Sequence, residues 1–152
     1  MRVQPVFLAL AVFVSCSSEK AQEIAEPKED RSARKKVEEL VRPGVKGGNS
    51  GAYFRLTNTL EKADTVLSIN TAAAAMAEAH EMYENEEGMA AMRHKPNLII
   101  PAGEALIFKP GGLHVMLMDL QRNLQQGDTV RLHIKLAQRG DVMKPIPVEI
   151  DN

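Results

Sequence analysis

The sequence predicts an all-β domain, an antiparallel sandwich or barrel, and three observations carry that expectation. From Val41 onward, apolar runs of about 4 to 8 residues are divided by turn residues roughly every 8 to 16 positions, the spacing of short strands. The separators are Lys46-Gly47-Gly48-Asn49-Ser50, Glu87-Gly88, Pro101-Ala102-Gly103-Glu104, Pro110-Gly111-Gly112, Gln126-Gly127-Asp128 and Arg139-Gly140-Asp141. One run, Val130-Leu132-Ile134-Leu136, alternates with Arg131-His133-Lys135, which gives a strand with one buried and one wetted face and puts His133 in solvent. Finally, 152 residues with 44% hydrophobic and 26% charged side chains suffice for one domain around one core.

Taken in chain order, residues 1–15 read as a signal peptide. Met1-Arg2 is followed by an apolar run from Val6 to Val14, far short of the roughly 20 residues that a membrane-spanning helix needs. The run closes on Phe13-Val14-Ser15-Cys16, which resembles a bacterial lipobox with Phe13 where Leu is usual. Cys16 is thereby the candidate lipidation site of a membrane-anchored lipoprotein, exported to the periplasm of a bacterium; an ordinary cleaved signal is the alternative. Because Cys16 is the single cysteine, an intramolecular disulfide and a Cys-based zinc or iron–sulfur centre are excluded. Residues 16–40 read as a flexible charged linker: positions 17–40 hold seven acidic and six basic side chains and little that is large and apolar. A tether of this length spans about 25–30 Å.

The domain is expected over 41–150. Its candidate strands are Ala52 to Asn58, Thr65 to Thr71, Met89 to His94, Leu98 to Ile100, Ala105 to Phe108, Leu113 to Leu120, Thr129 to Ala137 and Val142 to Glu149. One stretch disagrees. Thr71 to His80, TAAAAMAEAH, has the Ala-rich composition of a helix, and propensity leaves the conflict open.

Charge and aromatic content remove several function classes. Nineteen Lys plus Arg against twenty Asp plus Glu leave a formal charge of −1, so no net positive field holds a nucleic acid. Two Tyr, four Phe and no Trp are too few for base-stacking platforms. No catalytic triad, P-loop or HExxH is present, so the chain does not read as an enzyme. Methionine is the unusual residue: six of the eight, Met76, Met82, Met89, Met92, Met116 and Met118, fall between positions 76 and 118.

The stretch Gly112 to Leu120, GLHVMLMDL, gives that concentration a chemistry. On a strand, Leu113, Val115 and Leu117 point to one side and His114, Met116 and Met118 to the other, with the aliphatic set facing the core. Taken alone, such an HxM pair more often marks a plastic core filler beside a satisfied histidine. Upstream, however, lie His80 and Met92, with Met82 and Met89 between them. Thioethers are poor ligands for Zn²⁺ or Ca²⁺ but suit Cu(I), and imidazole suits copper as well, so two His and two Met with no thiolate and no carboxylate select Cu(I). A blue-copper electron-transfer centre requires a Cys thiolate, which the domain lacks.

The spacing of those residues resembles a known family. His80, Met92 twelve positions on, His114 after twenty-one intervening residues, and Met116 reproduce the H(M)x10Mx21HxM pattern of the PCuAC family of periplasmic copper chaperones. GAYFRLTN at 51–58, the Ile100-Pro101-Ala102-Gly103 turn, the Lys109-Pro110-Gly111-Gly112 turn and Leu124-Gln125-Gln126-Gly127-Asp128 are similar to the family too. The resemblance covers about residues 41–150. It implies a cupredoxin-like Greek-key β-sandwich or barrel with Cu(I) held at an exposed edge by His80, Met92, His114 and Met116. It also implies that the Ala-rich stretch is a strand, roughly Ala75 to Tyr83, against local propensity. The implied role is to deliver copper, alone or with other copper chaperones, to the dinuclear centre in the copper subunit of cytochrome c oxidase.

Met118 and Met82 are candidate auxiliary sulfurs by strand parity. His94, two residues after Met92, is read as a surface or supporting residue before a fifth ligand. Met76, Tyr83 and Met143 are read as packing. Glu81, Glu84 and Asp119 are the candidate hydrogen-bond partners of the ligand imidazoles. The chain lacks the His- and Met-rich C-terminal tail linked to Cu(II) in some relatives, and is expected to be a monomer. The competing readings are a copper storage or tolerance protein and an exported β-sandwich that binds no metal.

Overall fold

The computed structural model describes residues 39–150. The signal peptide, Cys16 and nearly all of the linker expected over 16–40 therefore lie outside the described residues. Ten strands are present: β1 (Leu40–Val41), β2 (Ser50–Thr57), β3 (Asp64–Asn70), β4 (Ala74–Glu84), β5 (Ala90–His94), β6 (Ile99–Ile100), β7 (Ala105–Phe108), β8 (Leu113–Leu120), β9 (Thr129–Leu136) and β10 (Gly140–Pro147). No helix occurs among the described residues.

The strands follow one another around the sheet in the order β1-β2-β8-β4-β3-β9-β10, with β5 beside β4, β6 beside β3 and β7 beside β2. Every strand pair is antiparallel. Within that order β9-β3-β4-β8 is a Greek key, since β9 returns to lie beside the first strand of the group. The two ends of the sheet meet through a parallel bridge of Val41 with Val148, and Glu149 N–H donates to the Val41 carbonyl at 3.0 Å. The result is a nearly closed barrel, which leaves few open strand edges for unwanted pairing.

Alternation fills the interior as the sequence anticipates. Val130, Leu132, Ile134 and Leu136 are buried, whereas Arg131, His133 and Lys135 are exposed. Phe54 and Phe108 stack at the centre with ring centroids 4.4 Å apart. Each of the six turn separators contains a glycine with positive φ. At Gly111 (φ 71°) this matters for function, because the turn it permits launches β8 and its ligand-bearing face.

Two expectations are corrected, and a third, the strand over the Ala-rich stretch, is met. The last two positions of the expected linker are structural: Leu40 is only 2% exposed and pairs with Tyr53, and Glu39 accepts from Lys144 Nζ at 2.7 Å. Met76, Tyr83 and Met143, read as packing, are exposed. Strand parity turns Met76 away from the barrel interior, and Tyr83 lies under the Arg93 guanidinium, 4.9 Å from the ring centroid. The Ala-rich stretch is strand, within β4: Ala77 and Ala79 face the core while Met76, Glu78, His80 and Met82 face outward.

Candidate metal centre

Three adjacent strands carry the candidate ligands on one outward face. Between β4 and β8 the register sets His80 directly opposite His114 and Glu78 opposite Met116. Between β4 and β5 it sets His80 opposite His94 and Met82 opposite Met92. The imidazoles of His94, His80 and His114 therefore stand in a row across the sheet, with ring centroids 5.9 and 6.2 Å apart. Met116 sits two residues along β8 from His114, and Met92 two residues along β5 from His94, so one thioether flanks the imidazole row on each side. Thus the structure sets His80, His114 and Met116 on neighbouring positions of the β4–β8 pair, whereas Met92 stands on the same face of β5, diagonally across the row from Met116. Met82 shares the face, and Met118 continues it opposite Met76.

The face ends at Asp119. This residue adopts positive φ (53°), a left-handed conformation that Asp tolerates better than most residues, and strand alternation breaks there. Consequently Leu120 is fully buried although it shares parity with His114, Met116 and Met118.

The face is also graded from covered to open. His114 is only 7% exposed, which differs from the open edge expected for it. Tyr53 of β2 stands beside it, with its ring 6.4 Å from that of His114. The Tyr53 hydroxyl reaches back over Gly51, where an added Cβ would stand 2.8 Å from it, and Gly51 is itself the register partner of Met116. The Arg42 guanidinium lies over the Tyr53 ring, 5.1 Å from its centroid. At the opposite end Met92 is 50% exposed. One end of the donor set is thus built into the barrel and the other reaches solvent.

Hydrogen bonds orient both central imidazoles. His114 Nδ1 lies 3.0 Å from the Gly112 carbonyl, and His80 Nε2 lies 3.3 Å from Glu78 Oε2. The carboxylates expected in this role do not fill it. Glu81 points to the other face and accepts from Arg93 Nη2 (2.8 Å) and Lys95 Nζ (2.9 Å), which hold its carboxyl below the ordinary glutamate range and tie β5 to β4. Glu78 was open to detection in the sequence, because position i−2 on a strand shares the face of His80. Tyr53 was not, because its approach comes from a strand 27 positions upstream of His80 in sequence.

Among the described residues no group of three or more His, Cys, Asp or Glu side chains is arranged to hold a metal ion. Imidazole and thioether donors on this face form a soft set of the kind that suits copper in its reduced state.

Residues 31–148 match the family described as "Putative lipoprotein LpqE-like". The chain belongs to the LpqE-like family. A curated relative of this LpqE-like protein, "Putative lipoprotein Lxx21020" of Leifsonia xyli subsp. xyli, is 28% identical over 108 residues. That match takes in 69% of this chain and 65% of the relative, so the chain spans less than two thirds of the relative's length. Among solved structures, the copper-bound PCuAC domain from PmoF2 superimposes with a TM-score of 0.61 at 18% identity, covering 76% of this chain and 94% of that one. The solution structure of CuI-DR1885 from Deinococcus radiodurans gives a TM-score of 0.53 at 26% identity, covering 81% and 86% respectively. The LpqE-like chain thus has the PCuAC fold, as the motif spacing led one to expect.

Proposed function

We propose that the protein is an exported copper chaperone, lipid-anchored through Cys16, that binds one Cu(I) through His80, Met92, His114 and Met116 and passes it to an acceptor. The observation that carries this reading is the register that sets His80 opposite His114, with a thioether at either flank of the imidazole row. Two solved relatives of the same fold are described as copper-bound or Cu(I)-bound, which supports carrying that chemistry to this chain. The imidazoles and thioethers on this face supply a soft donor set. Met118 and Met82, on the same face, are auxiliary sulfurs.

A carrier must release its cargo as well as hold it. The half-exposed Met92 gives an acceptor's ligand a point of attack, while buried His114 keeps its hold until late in the exchange. The acceptor we favour is the dinuclear copper centre of cytochrome c oxidase, reached in the periplasm with or without a second chaperone. Storage or tolerance is the alternative for the same site.

In chelator competition under reducing conditions, the purified protein should bind one Cu(I) and bind Zn²⁺ far more weakly. Equal or better Zn²⁺ binding would overturn the copper assignment. Mixing the Cu(I)-loaded protein with a copper-free oxidase copper domain should then move copper to that domain. Tight binding without transfer would leave storage as the function.

A further inference from the structure

The hydrogen bonds on the two central histidines settle more than their orientation. A carboxylate and a carbonyl oxygen accept hydrogen bonds and never donate them, so the proton of each neutral ring is fixed by its partner. His80 must donate from Nε2 to Glu78, and His114 must donate from Nδ1 to the Gly112 carbonyl. The nitrogen that keeps its lone pair is therefore Nδ1 in His80 and Nε2 in His114.

We propose that the two histidines present different nitrogens to copper, Nδ1 from His80 and Nε2 from His114, and that Glu78 is the positioning residue that fixes the first of these. The inference rests on the copper reading above and assigns the donor atoms and a supporting carboxylate within it. Glu78 is suited to the role by three features. It lies on the same face as His80, two residues earlier on β4. Its carboxylate meets His80 at 3.3 Å, and the residue stands in register with Met116. Its charge balances that of the ion, because two imidazoles and two thioethers are all neutral and leave bound Cu(I) with a full positive charge. Glu81, the other carboxylate next to His80 in sequence, is committed to Arg93 and Lys95 on the opposite face. The Gly112 carbonyl performs the matching task for His114 from the main chain, and so is insensitive to side-chain replacement.

The test is nitrogen NMR of the full chain labelled with ¹⁵N-histidine, above pH 8, with and without Cu(I). In the copper-free protein, the ring proton should sit on Nε2 of His80 and on Nδ1 of His114. On loading, the metal-induced shift should fall on Nδ1 of His80 and Nε2 of His114. Coordination through Nε2 of His80, or a copper-free His80 protonated on Nδ1, would overturn the assignment. Because the copper-free spectrum needs no metal, failure to bind Cu(I) at all would sink the chaperone reading and still leave the proton positions measured. Two substitutions then isolate Glu78. Glu78→Gln keeps an acceptor oxygen but removes the charge, and should preserve the proton position with a several-fold loss of Cu(I) affinity. Glu78→Leu removes both, and should release the proton position and weaken binding about 10- to 100-fold. A leucine variant with the parent's proton position and affinity would show that Glu78 positions nothing.

Discussion

Replacing methionine by leucine removes the sulfur while keeping volume and apolarity, so it separates ligation from packing at the level of single residues, with a stability cost usually below about 1.5 kcal/mol. Met92→Leu and Met116→Leu should each weaken Cu(I) binding in a chelator competition and barely move the thermal midpoint. Met143, on β10 and 56% exposed, is the control, and its leucine variant should bind like the parent. His114→Ala should be the most damaging to binding, because it removes a buried imidazole that no neighbouring sulfur replaces. Met118→Leu distinguishes an auxiliary sulfur, seen as a partial loss, from a side chain that only extends the face. Parent-like binding by both Met92→Leu and Met116→Leu would mean that the methionine cluster is structural.

At the scale of elements, the face depends on how β2 closes over β8. Tyr53 fits only because position 51 has no side chain: a Cβ there would meet the phenol oxygen at 2.8 Å and its ring carbon Cζ at 3.1 Å. Gly51→Ala should therefore push Tyr53 off His114 and lower stability by about 1–3 kcal/mol, the usual range for overpacking. Tyr53→Phe removes the nearest clashing atom, so the Gly51→Ala/Tyr53→Phe pair should recover part of the loss. Thermal denaturation of the four proteins in a double-mutant cycle measures that coupling, and full additivity would mean that the two positions do not interact. The GAYFRLTN segment was legible in the sequence as a strand. Its role as a lid on the imidazole face was not, because cross-strand neighbours far apart in sequence are set by topology.

For the whole molecule, one buried carboxylate ties three strand ends together. Asp64, 1% exposed, accepts from the backbone N–H groups of Thr65 and Gln138, both at 2.8 Å, and from Arg139 Nε at 3.1 Å. Arg139 Nη1 in turn donates to the Thr57 carbonyl at 2.7 Å, so the ends of β2 and β3 and the β9–β10 turn are joined through two side chains. Burial by itself would raise the Asp64 carboxyl, but the Gln138 and Thr65 N–H groups and Arg139 outweigh it and hold it below the ordinary value of 3.8. A carboxyl depressed in the folded state contributes stability above the unfolded value and loses it as pH falls through the folded one. Chemical denaturation should accordingly show this contribution intact from pH 7 to 5 and lost progressively below about pH 4. Asp64→Asn should lower stability by about 1–3 kcal/mol, since it leaves the part-buried Arg139 without its counter-charge, and should flatten the acid limb. An unchanged acid limb in that variant would place the dependence elsewhere.

The sequence by itself determined the strand pattern and the donor inventory. Glycine-bearing turns marked where strands end, alternation on β9 marked its faces, and the separations among His80, Met92, His114 and Met116 named the residues to watch. It could not decide β4 from composition, because the inward residues there are alanines, and alternating alanine with alanine, glutamate and methionine gives no strong hydrophobic contrast at period two. Nor could it reveal that Leu40 is buried against β2 or that Tyr53 stands beside His114. Those facts follow from register: which residues face one another across β1, β2, β8, β4 and β5 is fixed by the Greek-key crossings, and a local pattern of residues carries no information about a neighbour brought in from another part of the chain.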